Sequence, residues 1–220
     1  MNREQENQFK SALESSLFTL GIDALTETQL RQLVKHYSML REWNRRVNLT
    51  RIIEPDDAAQ FHYADSLFGG RFIEDARTLL DIGSGAGFPA VPLAVFRPDV
   101  HVTALEANQK KSLFLNEAKD ALGLANFSVV NARLESFDCA SYDLLTSRAL
   151  DRAEEILPSL IREMSADQRF MLYCAPGLLA KLDRRFAPTC DVETHAVPGT
   201  DSRLVAIFSA SRELGQKRVV

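Results

Sequence analysis

The sequence predicts an α/β fold in which a mostly parallel sheet follows an N-terminal helical extension. Three observations predict it. From residue 78 onward, apolar strand-like runs alternate with helix-like stretches, the pattern of a parallel sheet covered on both faces. The first run, Thr78 to Ile82, leads directly into Gly83-Ser84-Gly85-Ala86-Gly87, where a parallel sheet binds ligands at the carboxyl end of a strand. Before residue 70 the apolar spacing is helical instead. We therefore divide the chain into a helical extension, 1–70, and a core, 71–220, packed as one unit.

Taken in order, Phe9, Leu13, Leu17 and Leu20 recur at spacings of three and four, which predicts an amphipathic helix over 5–20 that Gly21 ends. Thr26 and Gln29 form a capping-box pattern ahead of Leu30, Leu33, Val34, Tyr37, Leu40, Trp43 and Val47, so a second helix starts there. Pro55 opens a third, short helix running to about Phe68, and Gly69-Gly70 is expected to break it. Strands are predicted at TLLDIG, VHVTALE, FSVVN, YDLLTS and RFMLYC, with helices over 88–96, 108–122 and 151–163. Two last strand-like runs, CDVETHAVP and RLVAIFSA, are joined by a hairpin-length link through Gly199.

Composition excludes several classes. At 220 residues, 45% hydrophobic and 25% charged, the chain is an ordinary globular protein, and no stretch approaches the roughly 18 apolar residues of a membrane span. The polar start MNREQENQFK has no secretory h-region, so a cytoplasmic protein is expected. Cys139, Cys174 and Cys190 are far apart and form no C-x-x-C pair, which points to reduced thiols and no metal site. A net charge of -4 argues against a uniformly basic nucleic-acid binder. Locally the balance reverses: between 31 and 51, Arg31, Lys35, Arg41, Arg45, Arg46 and Arg51 face only Glu42.

Three glycines in five residues exceed what a turn requires. Glycine there admits unusual backbone angles and lets a ligand rest on the backbone. The spacing is G-x-G-x-G, with Phe88 where a dinucleotide fingerprint would place its third glycine, and this compact form is more typical of S-adenosylmethionine sites. Glu106, 23 positions after Gly83, can accept both hydroxyls of a ribose in either cofactor type. Asp81 at the strand tip is placed for the amino or sulfonium end.

Several segments together carry a more specific likeness: WNRRVNLT at 43–50, FHYADSL at 61–67, LLDIGSGAGFPAVPLA at 79–94, KKSLFL at 110–115, ARLESF at 132–137 and SRAL at 147–150. Through them the chain resembles the bacterial small-subunit rRNA guanine-N7 methyltransferases, the glucose-inhibited division protein B family, over roughly residues 30–208. The resemblance implies a seven-stranded, Rossmann-like S-adenosylmethionine-dependent methyltransferase fold and methylation of one guanine in 16S rRNA. It carries cofactor contacts onto Gly83, Phe88, Leu134, Glu135 and Arg148, with Glu106 at the acidic ribose position. One departure is visible: the family usually has a lysine before glycine after the fifth strand, and here the chain reads Ala175-Pro176-Gly177.

Guanine N7 keeps an in-plane lone pair and no proton, so its methylation needs no general base. Alignment then carries the catalysis, and Arg148 is the candidate catalytic group, by positioning. Gly85, Gly87 and Asp81 complete the cofactor set. Asn48, His62, Asp65 and Ser66 are candidates for the floor or wall of the site. Arg31, Lys35, Arg45, Arg46, Asn48, Lys110, Lys111 and Arg203 are expected to meet rRNA. The expected partner is 16S rRNA, as a small subunit or assembly intermediate, bound by a monomer. A nicotinamide-dependent oxidoreductase and a non-catalytic rRNA-binding protein are the alternatives.

Overall fold

Local signals set the helices. In the computed structural model, which describes residues 2–73, 75–148, 153–186 and 190–210, the Asn2 side chain accepts the Gln5 amide and starts α1 (Arg3–Thr19). The predicted stripe is buried at Phe9, Leu13 and Leu17. The capping box forms as expected, Gln29 N–H donating to Thr26 Oγ1 and Thr26 N–H to the Gln29 side chain, and α2 runs Glu27–Asn44. Satisfying these first-turn donors fixes where α2 begins. Phe9 stacks on Tyr37 at 4.3 Å and meets Tyr63 edge-on at 4.9 Å, which ties α1 and α2 to the third helical segment.

That third segment differs from expectation. It begins as α3 (Pro55–Ala58), widens into a π-helical stretch (Ala59–Ala64), resumes as α4 (Asp65–Gly69) and ends in a 3-10 turn, Gly70–Phe72. The α-helix thus ends at Gly69-Gly70 as expected, and both glycines also permit close packing, Gly69 against Tyr173 and Gly70 against Phe96. A Cβ on Gly69 would fall 1.9 Å from the Tyr173 hydroxyl, and one on Gly70 would fall 2.7 Å from Phe96.

The core strands are β1 (Thr78–Ile82), β2 (His101–Leu105), β3 (Phe127–Val130), β4 (Leu144–Arg148), β5 (Arg169–Cys174), β6 (Cys190–Ala196) and β7 (Leu204–Ala210). They form one seven-stranded sheet in the order β3-β2-β1-β4-β5-β7-β6. Strands β1 to β5 pair in parallel, and β7 is antiparallel to both β5 and β6. The chain runs outward from β1 to β3 and then returns to the other side of β1, so the order reverses between β1 and β4. Open α/β sheets bind ligands at such a reversal, beyond the carboxyl ends of the strands.

Helices α5 (Ala90–Phe96), α6 (Gln109–Leu122) and α7 (Ala153–Glu163) fall where expected. Ala149 and Leu150 of the SRAL segment, and the first residues of the predicted 151–163 helix, lie outside the described residues. A further helix, α8 (Pro176–Phe186), was not anticipated; Pro176 suits a first helical turn, whereas Gly177 lowers helix propensity.

Successive strand residues face opposite sides. Leu79 joins a core shared with Phe9, Leu33, Tyr37 and Leu115, while Leu80 and Ile82 join a second core with Leu157, Ile161 and Leu182. The helical segment thus seals the same face of the sheet as α5 and α6. Burial of Tyr173 holds this junction, its hydroxyl donating to the Ser66 carbonyl at 2.8 Å. Gly69→Ala is expected to force α4 off β5 and to destabilise the protein by about 1–3 kcal/mol, read as a lowered denaturation midpoint; an unchanged midpoint would show that α4 yields freely.

Candidate active site at the carboxyl edge of the sheet

The loop after β1 is held by its own backbone and by one carboxylate. Gly83 and Ser84 N–H groups donate to the Leu105 carbonyl at 2.9 and 3.1 Å, and Gly85 N–H donates to Glu106 Oε2 at 2.8 Å. The other oxygen, Oε1, accepts the Asn108 amide at 2.7 Å. Glu106 therefore binds both the glycine loop and the start of α6, yet each oxygen keeps a second lone pair for a ligand hydroxyl. Gly83, Gly85 and Gly87 all have positive φ, 74°, 57° and 88°, which explains glycine at each. They differ in their surroundings. A Cβ on Gly85 would meet only the Gly83 carbonyl, at 3.8 Å, whereas one on Gly87 would fall 2.7 Å from Val91 and 3.1 Å from Leu115. The loop is packed beneath and open above.

Asp81, the penultimate residue of β1, is fully buried, and neither carboxylate oxygen has a hydrogen-bond partner among the described residues. The adjacent Ser84 hydroxyl donates instead to the Asp81 carbonyl, at 3.0 Å. Burial pushes the Asp81 carboxyl up to about 7, with Ser84, the Ala90 amide and Arg148 restraining the rise and Glu106 adding to it. A buried acceptor without a donor is costly. An incoming cationic group would satisfy it.

Two histidines lie beneath and beside this loop. His36, on α2, is fully buried, bonded through Nδ1 to the Tyr63 hydroxyl at 2.8 Å, with Nε2 unpartnered among the described residues and 3.4 Å from where a Gly87 Cβ would lie. His62, on the π-helical stretch, stacks on Phe88 with ring centroids 4.4 Å apart. Arg148 donates to His62 Nδ1 at 3.1 Å and to the carbonyls of Phe61 and His62. Nδ1 must then accept, so Nε2 carries the proton and donates to Thr50 Oγ1 at 2.8 Å. Burial lowers both histidines to about 3, and for His62 the Arg148 charge adds to the effect. Both rings are neutral near pH 7.

Of the residues singled out from sequence, Asp81, Gly83, Gly85, Gly87, Phe88, Glu106 and Arg148 converge on this edge. Leu134 and Glu135 sit on a short 3-10 turn (Leu134–Ser136) beyond β3. They also line a separate cavity of about 630 Å³ between that turn and α7, which includes none of the glycine loop. Its size does not make it the reactive site. Arg45, Arg46, Asn48 and Arg51 are exposed on the loop after α2. Asn44 folds that loop, its side chain accepting the Leu49 and Thr50 amides and donating to the Thr50 carbonyl, and Thr50 anchors it to His62. Lys110 and Lys111 occupy the first turn of α6, where a positive charge opposes the helix dipole. Arg31 and Lys35 are exposed on α2, Arg31 paired with Glu27 at 3.1 Å. Arg203 is ion-paired with Asp65 and lies 4.6 Å from the Phe61 ring centroid. His36 was missed; its only signal was a histidine within the apolar stripe of α2.

Comparisons with known proteins bear on the family and the fold. Residues 29–185 match the family model GidB, rRNA small subunit methyltransferase G. A ribosomal RNA small subunit methyltransferase G of Pseudomonas fluorescens is 35% identical over 208 residues, covering 89% of this chain and 96% of that protein. One from Neisseria meningitidis serogroup C is 41% identical over 140 residues, 64% of this chain and 67% of the relative. Solved structures share the fold at low identity. An S-adenosylmethionine-dependent O-methyltransferase of Thermotoga maritima superposes with a TM-score of 0.55 at 15% identity, over 79% of this chain and 72% of its own. A tRNA (m1A58) methyltransferase of Aquifex aeolicus gives 0.56 at 11%, over 67% and 68%. Asp81, the open glycine backbone and Glu106 suit a nucleoside ligand with a cationic end, and the nicotinamide alternative falls away. The chain belongs to the GidB family of rRNA small subunit methyltransferase G, and it is an S-adenosylmethionine-dependent methyltransferase.

Proposed function

We propose that the protein methylates N7 of a guanine in 16S rRNA of the small ribosomal subunit, acting in the cytoplasm as a monomer. The observation that carries the acceptor chemistry is the state of the groups around the crevice. His36 and His62 are both held near a pKa of 3, so neither is an effective general base at neutral pH. An acceptor nitrogen with a free lone pair and no proton needs none. The motif resemblance supplies the rest of the reading.

S-adenosylmethionine, when bound, supplies a methyl group activated on a sulfonium. Asp81 would hold its cationic amino end, Glu106 the ribose hydroxyls, and Leu134 and Glu135 would border the adenine, with Phe88 a further contact beside the glycine loop. The backbone of Gly83, Gly85 and Gly87 would lie against the ligand. Arg148 orients rather than transfers protons: its guanidinium braces the Phe61–His62 backbone against the end of β4, fixing the His62 ring on Phe88 beside the glycine loop. Alignment of this sort can supply several kcal/mol of a barrier.

For RNA, the exposed loop bearing Arg45, Arg46 and Asn48 is the best supported contact, because Thr50 ties it to His62 at the edge of the crevice. Lys110 and Lys111 fit the same role, since their position on α6 does nothing for helix stability. Arg31 and Lys35 extend the basic face. Arg203, already paired with Asp65, fits a role inside the site better than one on phosphates.

Incubating small subunits that lack the modification with the protein and labelled methyl donor should label 16S rRNA, and reductive aniline cleavage should then cut the chain at one guanosine. Donor binding without RNA labelling would overturn the reading. Replacing Arg45 and Arg46 together by Ala is expected to raise KM for the subunit and to flatten its salt dependence, with kcat nearly unchanged.

Asp81 yields a pH prediction. Its carboxyl must be ionised to hold a cation, and its pKa of about 7 leaves it partly protonated at neutral pH. Cofactor affinity should therefore fall as pH drops from about 8 to 6, by at most about tenfold per unit for one proton. Asp81→Asn should weaken binding on the order of tenfold to a hundredfold and abolish that slope. Calorimetry with S-adenosylhomocysteine reads both effects, and a slope that survives the substitution would assign it elsewhere.

A further inference from the structure

Across Arg148 from the glycine loop lies a second cavity of about 290 Å³, set between the carboxyl ends of β4 and β5, α4 and the start of β7. Its walls are mostly apolar, from Leu172, Leu178 and Leu204, and its charged groups are Asp65, Arg148 and Arg203. That is the make-up of a ligand pocket at the small end of the usual range: apolar sides with a few convergent polar groups. Arg148 lines this cavity and also donates to His62, whose ring stacks on Phe88 directly after the glycine loop, so it joins the cavity to the donor crevice.

Asp65 is only 7% exposed. Its Oδ2 accepts from Arg203, while Oδ1 carries no hydrogen bond to a described residue. Arg203 is itself fixed over the Phe61 ring. Burial raises the Asp65 carboxyl, and the Arg203 and Arg148 charges oppose that rise. An ion pair serving stability alone gains little from burial, and apolar residues of similar volume often do as well or better. Here the pair lines an open cavity rather than packed side chains.

We propose that this cavity receives the acceptor base and that Asp65 selects guanine, its carboxylate accepting the N1–H and 2-amino hydrogens of the Watson–Crick edge. The inference rests on the reading of the protein as a guanine-N7 methyltransferase and adds how the base is told from adenine. Guanine offers two adjacent donors on that edge; adenine puts the N1 lone pair there, which a carboxylate repels. N7 belongs to the other ring, on the side away from N1 and the 2-amino group, so a base seated by that edge can turn N7 toward the donor crevice. Enzymes that modify a base commonly read its Watson–Crick edge in a pocket outside the stack. Arg203 is then a positioning residue that keeps the carboxylate charged and aimed.

The test uses the full-length protein and small subunits reconstituted with 16S rRNA carrying either guanosine or inosine at the methylated position. Inosine lacks only the 2-amino group. The unaltered protein should methylate guanosine subunits about tenfold to a hundredfold more efficiently in kcat/KM. Asp65→Asn should lose most of its activity on guanosine, because its amide NH2 opposes the 2-amino group, and should bring the guanosine-to-inosine ratio close to one. S-adenosylhomocysteine affinity should not change. Equal slowing on both substrates, with the ratio intact, would reduce Asp65 to a structural ion pair and overturn the proposal. So would an unaltered protein that does not distinguish the two bases, a result independent of whether any variant folds. Cofactor binding with no methylation of either subunit by the unaltered protein would instead overturn the functional reading beneath it.

Discussion

No side chain fits at Gly87. A Cβ there would press on Val91 and Leu115, with His36 Nε2 just beneath, so the loop after β1 can cross the sheet edge only if that residue is glycine. The constraint reaches outward. Because the loop lies directly on α2 and α6, Gly85 is lifted to where Glu106 can accept its amide, and the open side of the loop faces away from the protein. The helical segment is therefore the bed on which the glycine loop rests. Phe9, Tyr37 and Tyr63 stack behind it and transmit its position to the site.

Electrostatics at this edge are arranged around an unmet need. Asp81 is buried without a donor, an arrangement that a folded protein tolerates where a ligand supplies the missing charge. The histidines nearby are kept neutral by burial, His36 tied through Nδ1 to Tyr63 and His62 to Thr50 and Arg148. Their work is shape. Arg148, buried with its guanidinium on the Phe61 and His62 carbonyls, joins β4 to the π-helical stretch and so sets the width of the crevice. A π-helical turn is uncommon and frequently found at functional sites; here it turns His62 onto Phe88 and carries Asp65 into the neighbouring cavity.

Much of this was legible in the chain. Strand and helix alternation, the capping box at Thr26 and the compact glycine spacing are local patterns, each satisfied within a few residues, so they read directly from sequence and gave the sheet, α2 and the glycine loop. Where expectation fell short, a long-range contact was responsible. Gly69-Gly70 does end α4 as expected, but the chain gave no sign that Tyr173 and Phe96 leave no room for a side chain there. Arg203 looked like one more surface cation until the fold brought it 138 positions along the chain to Asp65.

The sequence by itself determined the order of the strands and of most helices, the class of cofactor and, through its motifs, the family, because these depend on residue type at fixed local spacing. Only the tertiary structure decided which charges are buried and which are exposed. It left Asp81 without a partner, put His36 beneath Gly87, turned Arg148 toward the helical segment and set Asp65 in a cavity beside it. Desolvation and pairing depend on neighbours that the chain supplies from distant positions, and no local pattern encodes them.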